Sequence, residues 1–228
     1  MATKGGGLSG RLRPEKALRE SERAPASRIA AGLLALSAAV AAGGAGAQPV
    51  SLFDGTLGGW IVENGADVDV RDGVLRVAAP RGWLRSAGQY DDFRLRVEFR
   101  FVTDDADSGI FVRAVADGTF GRGWPSNSYQ VQLRNPVGES RFPPVGGIFR
   151  HGRPSGDMRF DEALAERTST GTGEWQTLEI DMVGESLTVK LNGVQLTEAS
   201  DIVNPTGYIG IQAETGIVEF RAIEIAER

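Results

Sequence analysis

Polar side chains able to hydrogen-bond a hydroxyl-rich ligand recur at every second position in strand-like runs of this sequence. Glu98 and Arg100 share one face of such a run, Gln130 and Gln132 share one face of another, and Arg113 lies on a run between them. Alternate side chains of a β-strand point to opposite faces of its sheet, so each run has an apolar face and a polar face. The pattern favours a ligand-binding sheet face, and a solvated outer face is the alternative.

Each of these side chains has a candidate role and a structural alternative. Glu98 is a candidate base or ligand, while Arg100 and Arg113 offer fixed donors that suit sugar oxygens. A cross-strand ion pair would explain Glu98 and Arg100 without any ligand. Gln130 and Gln132 lose solvation inside an apolar run, which indicates either ligand contact or an internal hydrogen-bond network.

Two long loops carry further candidates. Residues 116–127 are glycine-rich and contain Trp124, whose ring is a candidate platform for a sugar. Residues 135–172 contain His151, the single histidine of the sequence and a candidate acid or base because imidazole titrates near neutral pH. Long loops in a compact β domain are often functional, and mobile surface is the alternative. Trp60 and Trp175, by contrast, lie in motifs that are expected to define the fold, and both are predicted in the core.

The elements that position these residues are predicted to be almost entirely strands. About eleven short strand-like runs follow Val50, separated by turn signals such as Asp72-Gly73 and Asn192-Gly193. The only plausible helix covers Asp161–Arg167. This spacing predicts an all-β fold, a two-sheet antiparallel β-sandwich with jelly-roll topology.

Composition excludes several classes of function. The 228-residue chain has no cysteine, so disulfides, thiol catalysis and zinc–thiolate sites are excluded. One histidine among scattered acids argues against a zinc site, and no cofactor is evident. A divalent metal with oxygen ligands stays open without a motif to support it. The net charge is −5, and residues 48–228 are more acidic than the whole, which argues against nucleic acid as a partner.

Residues 1–47 have the features of a targeting segment. Seven basic residues precede an apolar run at Ile29–Ala42, and Ala45-Gly46-Ala47 offers a cleavage site. The run is shorter than the ~20 residues needed to span a bilayer. We predict a signal peptide, a single domain over residues 48–228, a periplasmic or secreted location, and no stable membrane span after cleavage. An uncleaved anchor or a disordered tail is the alternative.

A series of short motifs resembles the 3-keto-disaccharide hydrolase domain family, whose fold is a concanavalin-like jelly roll. The resemblance covers Leu52–Ile225, and its pieces occur in the family's order. They are LFDG (52–55), GGW (58–60), DFRLRVEFRF (92–101), DSGIFVR (107–113), SYQVQLRN (128–135), GGIF (146–149), GEWQT (173–177), GYIGIQ (207–212) and VEFRAIEI (218–225).

The resemblance implies cleavage of glycosides that already carry a ketone at C3. The ketone acidifies the proton at C2, so a positioned base can start an elimination that expels the C1 substituent, after which water adds. Such chemistry needs a base, a donor or metal for the developing enolate oxygen, and an acid for the leaving group. The partner implied is therefore an oxidised carbohydrate.

The sequence departs from the family pattern at three positions. Gln130 replaces a common Glu, Glu214 replaces a His that often lies two residues after Gln212, and Asp107 replaces an Asn. The hypothesis that follows assigns catalysis to three residues and substrate binding to six. The catalytic candidates are Glu98, Glu214 and His151, and the binding candidates are Arg100, Arg113, Trp124, Gln130, Gln132 and Gln212. The alternative is a non-catalytic carbohydrate-binding module on the same fold.

Overall fold

Two antiparallel β-sheets account for most of the chain in the computed structural model, which describes residues 47–117, 123–153 and 156–228. The all-β, two-sheet sandwich predicted from the sequence is confirmed. The predicted targeting segment falls, apart from Ala47, outside the described residues. Within them, no helix is long and apolar enough to cross a membrane.

The strands are numbered β1 to β15 along the chain. In spatial order, the first sheet contains β10 (Met158–Phe160), β13 (Val194–Ala199), β12 (Ser186–Leu191), β11 (Gln176–Val183), β6 (Phe93–Phe101), β15 (Ile217–Glu227), β4 (Val74–Ala78) and β3 (Asp67–Arg71), with β1 (Val50–Ser51) paired to β15. The second sheet contains β2 (Trp60–Glu63), β5 (Gly82–Tyr90), β14 (Gly207–Thr215), β7 (Asp107–Ala114), β8 (Ser128–Arg134) and β9 (Ile148–His151).

Alternating apolar side chains from both sheets fill the core between them. Strands β6 and β8 lie in different sheets, and each directs every second side chain into the same cluster of buried residues. Burial of one such side chain contributes about 1.5–3 kcal/mol. The core residues from these two strands are Phe93, Leu95, Val97, Phe99, Phe101, Tyr129, Val131 and Leu133.

The outward face of the second sheet carries the polar residues of the middle strands. Gly109 on β7 pairs with Gln132 on β8 and with Gln212 on β14, so these two glutamines flank a residue without a side chain. Gln130 occupies the space above it: a Cβ atom at Gly109 would lie 2.5 Å from the Gln130 Nε2 atom. The glycine therefore allows three glutamine side chains to converge.

The remaining elements agree with the sequence to different degrees. The predicted helix exists as α1 (Glu162–Thr168), and the Asp161 side chain caps it by accepting a hydrogen bond from the Leu164 N–H at 2.9 Å. Four strands, β1, β2, β10 and β13, were not expected from the sequence. Most of their residues are exposed, so they lack the strict apolar alternation that predicts a strand.

Candidate functional site

A cavity of about 350 Å³ lies on the outward face of the second sheet, and we refer to it as the glutamine pocket. Strands β7, β8, β9 and β14 supply most of its walls, and the loops before β8 and β9 supply the rest. The lining residues are Asp107, Trp124, Gln130, Gln132, Phe142, Phe149, Arg150, His151, Gln212 and Glu214.

The three buried glutamines form a branched chain of hydrogen bonds. Gln130 Nε2 donates to Gln132 Oε1 at 2.7 Å and to Gln212 Oε1 at 2.9 Å. Gln132 Nε2 in turn donates to Asp107 Oδ1 at 2.8 Å, and Gln212 Nε2 donates to Glu214 Oε2 at 3.0 Å. Each carboxylate thus accepts one amide hydrogen bond, and both bonds lead back to Gln130.

The Asp107 carboxyl has the environment of an acid–base group. Burial, reinforced by the nearby negative charge of Glu214, raises the pKa of Asp107 to about 7. Arg134, the Gln132 hydrogen bond and Arg81 act in the opposite direction, but together they do not offset burial. Asp107 can therefore both hold and release a proton near neutral pH.

Arg81 neutralises the second carboxylate from outside the pocket. Its Nη2 atom lies 2.8 Å from Glu214 Oε1, and its guanidinium carbon lies 5.2 Å from the centre of the Trp124 ring. The ion pair fixes Glu214 as the charged neighbour of Asp107, and the ring contact ties Trp124 to the same arginine. The two carboxyl groups thus have different environments.

His151 contributes a neutral imidazole. Its Nε2 atom lies 2.7 Å from Gln130 Oε1, where it can only donate, because an amide oxygen is an acceptor. Burial lowers the pKa of His151 to about 4. At neutral pH the ring is therefore uncharged and supports the glutamine chain as a hydrogen-bond donor.

One side of the pocket is a row of rings, which we call the aromatic wall: Trp124, His151, Phe149 and Phe142. Neighbouring ring centres lie 6.5 Å, 6.2 Å and 6.1 Å apart in that order. Trp124 also packs on a small apolar cluster containing Trp83 and Phe111, which anchors this end of the wall to the sheet. The pocket therefore has a polar side and an aromatic side.

The structure brings six of the nine predicted site residues together and separates three. Glu98 and Arg100 project from β6 on the outward face of the first sheet, which is the other side of the sandwich from the glutamine pocket. Glu98 pairs there with Arg96 and Arg221. The expectation that Glu98 lies within reach of the glutamines is wrong, because alternation alone does not distinguish the two sheets.

Arg113 is also absent from the pocket, since its backbone departs from the regular strand. Its φ angle is +47°, at an irregularity in the pairing of β7 with β14, and this directs its side chain away from the face that carries Phe111. The buried guanidinium donates to the carbonyl oxygens of Asp91, Gly184 and Asn204 at 2.6–3.1 Å. Arg113 therefore has a structural role, because its hydrogen bonds connect three separate loops.

Five residues of the site or its margin did not emerge from the sequence as site candidates. They are Asp107, Arg81, Phe142, Phe149 and Arg150. Asp107 had a signal, because it stands where the resembled family has Asn, but the exchange was read only as a departure. The others lie in loops or at strand ends, where periodicity gives no indication of direction. Among the described residues, no group of three or more His, Cys, Asp or Glu side chains could hold a metal ion.

A comparison with protein families identifies the family of the chain. The sequence model of the 3-keto-alpha-glucoside-1,2-lyase-like domain matches residues 48–226. The chain belongs to this family. None of the curated proteins compared with the chain matches it.

Solved structures with a similar fold include carbohydrate-active proteins. Two candidate glycosyl hydrolases from Parabacteroides distasonis share 21% and 15% identity with this lyase-like domain, at TM-scores of 0.59 and 0.61. The alignments cover 79% of this chain in both cases, and 100% and 94% of the other chains. The carbohydrate-binding module CBM66 from Bacillus subtilis shares 11% identity over 74% of this chain and 96% of its own, at a TM-score of 0.51. These likenesses show a common jelly-roll fold.

Proposed function

We propose that the glutamine pocket binds a 3-keto-glycoside and cleaves its glycosidic bond, with Asp107 as the acid–base residue. One observation carries the proposal: a half-buried carboxyl whose pKa is raised to about 7 by desolvation faces a pocket lined by amides and rings. A perturbed carboxyl in a cleft is a functional-site signal because a pKa near the working pH suits proton transfer.

The chemistry assigned to Asp107 is an elimination followed by hydration. Ionised Asp107 removes the proton from C2, and the electron pair of that bond forms the enolate of the C3 ketone. The ketone then re-forms as the C1–C2 double bond is made and the C1–O bond breaks. The departing oxygen takes up a proton, and water then adds across the double bond. The net result is a 3-keto sugar and the free alcohol of the leaving group.

Amides beside Asp107 are suited to the negative charge that develops on the ketone oxygen. Gln132 and Gln212 each use one N–H on a carboxylate, and each amide has a second N–H. Donors held in place before the reaction stabilise an enolate oxygen without reorganisation. Glu214, paired with Arg81, lies close enough to raise the pKa of Asp107.

Release of p-nitrophenol from the α and β anomers of p-nitrophenyl 3-keto-glucoside tests the proposal. We expect Asp107→Asn to lower kcat by at least roughly 100-fold, the usual size of an acid–base contribution. The matched control is Glu98→Gln, a carboxyl-to-amide change on the outer face of the other sheet, which should leave kcat unchanged. Full activity in Asp107→Asn would overturn the assignment. A parallel assay with EDTA tests for a divalent metal.

A binding module is the second candidate function, and Gln130 favours it. At the branch of the hydrogen-bond chain this member has an amide, which does not exchange a proton, where the resembled family commonly has a carboxyl. Saturable binding of 3-keto-glucosides by calorimetry, with no turnover of either anomer, would select this function over catalysis.

Export is the third part of the proposal. In residues 1–47 a basic stretch is followed by an apolar run and then by small residues, which is the order found in a signal peptide. A sugar-cleaving domain with such a segment would act outside the cytoplasm. Terminal sequencing of protein recovered from the periplasm or medium tests this directly. A start at Gln48 is expected, and a full-length chain confined to the cytoplasm would contradict it.

A further inference from the structure

The aromatic wall presents ring surfaces whose polar atoms already have partners. His151 Nε2 bonds Gln130, and Trp124 Nε1 donates to the Ala213 carbonyl at 3.4 Å. Arg150, which borders the wall, donates its guanidinium N–H groups to the carbonyls of Ser200, Asp201 and Asp157. A ligand group against this wall therefore meets carbon surface and few available donors.

The polar side of the pocket has the opposite character. Asp107, Glu214, Gln132 and Gln212 lie together there, and their amides and carboxyl oxygens can bond sugar hydroxyls. If the oxidised sugar ring occupies this side, the group at C1 is directed to the rings. Hydroxyl groups buried without partners cost free energy, whereas a flat apolar group gains from edge and face contacts with the rings.

We propose that the leaving group of the substrate is an aromatic or similarly flat apolar aglycone, not a second sugar. The proposal rests on the function proposed above and names the substrate class of the same pocket. Phe142 is the key residue, because it forms the outer end of the wall, is 41% exposed, and meets Phe149 edge to face. An entering aryl ring can extend this edge-to-face arrangement.

Leaving-group chemistry supports the same substrate class. A phenol loses its proton near pH 10, far more readily than an aliphatic alcohol, so an aryl oxide departs with little help from an acid. Asp107 lines the pocket and its pKa is raised to about 7, and the proposed base role already occupies it. A site that uses this carboxyl as its base is well matched to a substrate that needs a base more than an acid.

The test measures binding, because rates would mix wall contacts with leaving-group reactivity. Calorimetry on Asp107→Asn, in which the new amide oxygen can still accept from Gln132, gives dissociation constants for three ligands: phenyl 3-keto-glucoside, methyl 3-keto-glucoside and 3-keto-cellobiose. We expect the phenyl glycoside to bind at least tenfold more tightly than the other two. Adding Phe142→Ala should remove most of this preference while changing methyl glycoside affinity less than twofold.

Met158→Ala is the matched control, since Met158 is similarly exposed, at 45%, on edge strand β10 of the other sheet. It should leave all three affinities unchanged. Tighter binding of 3-keto-cellobiose, lost in Phe142→Ala, would overturn the proposal and assign the wall to a second sugar. If the parent protein turns over no 3-keto-glycoside but Asp107→Asn still prefers the phenyl glycoside, the role of the aromatic wall is supported and the proposed cleavage reaction is rejected. Failure of the one proposal is therefore distinguishable from failure of the other.

Discussion

The outward faces of the two sheets both carry carboxyl groups, but the pKa of the carboxyl shifts in opposite directions on the two faces. On the first sheet, Glu98 lies between Arg96 and Arg221, and hydrogen bonds from these arginines, that from Arg221 foremost, lower its pKa. On the second sheet, Asp107 is half-buried at the edge of the pocket, and its pKa rises to about 7 because of desolvation. Both carboxyls belong to outward sheet faces, so the difference comes from what covers each face.

Loops cover the outward face of the second sheet, whereas ion pairs cover the outward face of the first. Trp124 and Phe142, from loops before β8 and β9, enclose the glutamine pocket and remove its side chains from water. The first sheet has charged ladders instead, in which Arg100 and Arg221 flank the half-buried Trp175 ring at 4.6 Å and 4.7 Å. Enclosure, more than residue type, therefore raises the pKa of a carboxyl on a polar sheet face.

The largest expected effect comes from filling the space under the glutamines. In Gly109→Ala the new Cβ would lie 2.5–2.9 Å from the Gln130 side chain, which buried neighbours hold in place. We expect a loss of stability of about 1–3 kcal/mol, as for other overpacked sites, and strongly reduced turnover. Urea unfolding and a kcat measurement check both effects.

The control for this change is Gly171→Ala, because an added Cβ at Gly171 meets nothing within 4 Å. It should change stability by less than about 0.5 kcal/mol. If the two alanine variants were equally stable and equally active, the glutamine pocket would be loose enough to rearrange, and the contrast between an enclosed and an open face would fail.

The next effect is a pH dependence of stability with a definite sign. Asp107 has a raised pKa when folded, so between pH 4 and pH 7 the folded state binds more protons than the unfolded state, and stability falls as pH rises. Asp107→Asn removes this loss. Its stability relative to the parent protein should increase by roughly 1–3 kcal/mol between pH 5 and pH 8, since one pKa unit is worth about 1.4 kcal/mol.

His151 contributes the opposite slope over a pH range that overlaps the range of Asp107, so the two contributions partly cancel in the parent protein. The pKa of His151 is lowered to about 4, so below pH 6.5 the unfolded state binds the extra proton and this contribution falls on acidification. The stability of His151→Gln relative to the parent protein should therefore rise on acidification from pH 6.5 to pH 5, whereas the relative stability of Glu98→Gln should change by less than about 1 kcal/mol over the measured range. Unfolding curves at pH 5, 6.5 and 8 resolve the three variants, and parallel behaviour of Asp107→Asn and Glu98→Gln would remove the distinction between the faces.

The fold was predictable because the core is periodic. Tyr129, Val131 and Leu133 of β8 lie in the core, as alternation with Gln130 and Gln132 requires. Gln130 and Gln132 were correctly placed together on the opposite face. Glu98 was misplaced because a period of two gives faces within a sheet but does not say which sheet faces which loop.

Other failures have local causes. Arg113 departs from its strand through a positive φ angle that no residue pattern announces. Trp175, expected in the core, is half-buried between two arginines because its strand neighbours on the outer face are charged. Asp107 depends on long-range contacts: its pKa reflects burial and Glu214, which is 107 positions away in the sequence, and only the folded chain brings these together.

The smallest expected effect separates two similar arginines on the second sheet. Arg81 pairs with Glu214 and lies over Trp124, while Arg85 pairs with Glu63 at 3.0 Å and lies 4.3 Å from the Tyr208 ring centre, away from the pocket lining. Because Arg81 lowers the pKa of Asp107 and the base must be ionised, Arg81→Met should move the acidic, ascending limb of the pH–rate profile upward by roughly 0.5 unit. Arg85→Met removes an equivalent ion pair and ring contact and should leave that limb in place. Equal shifts in both variants would mean that the shift does not depend on the contact of Arg81 with the pocket, and no shift in either would show that Asp107 titrates independently of Arg81.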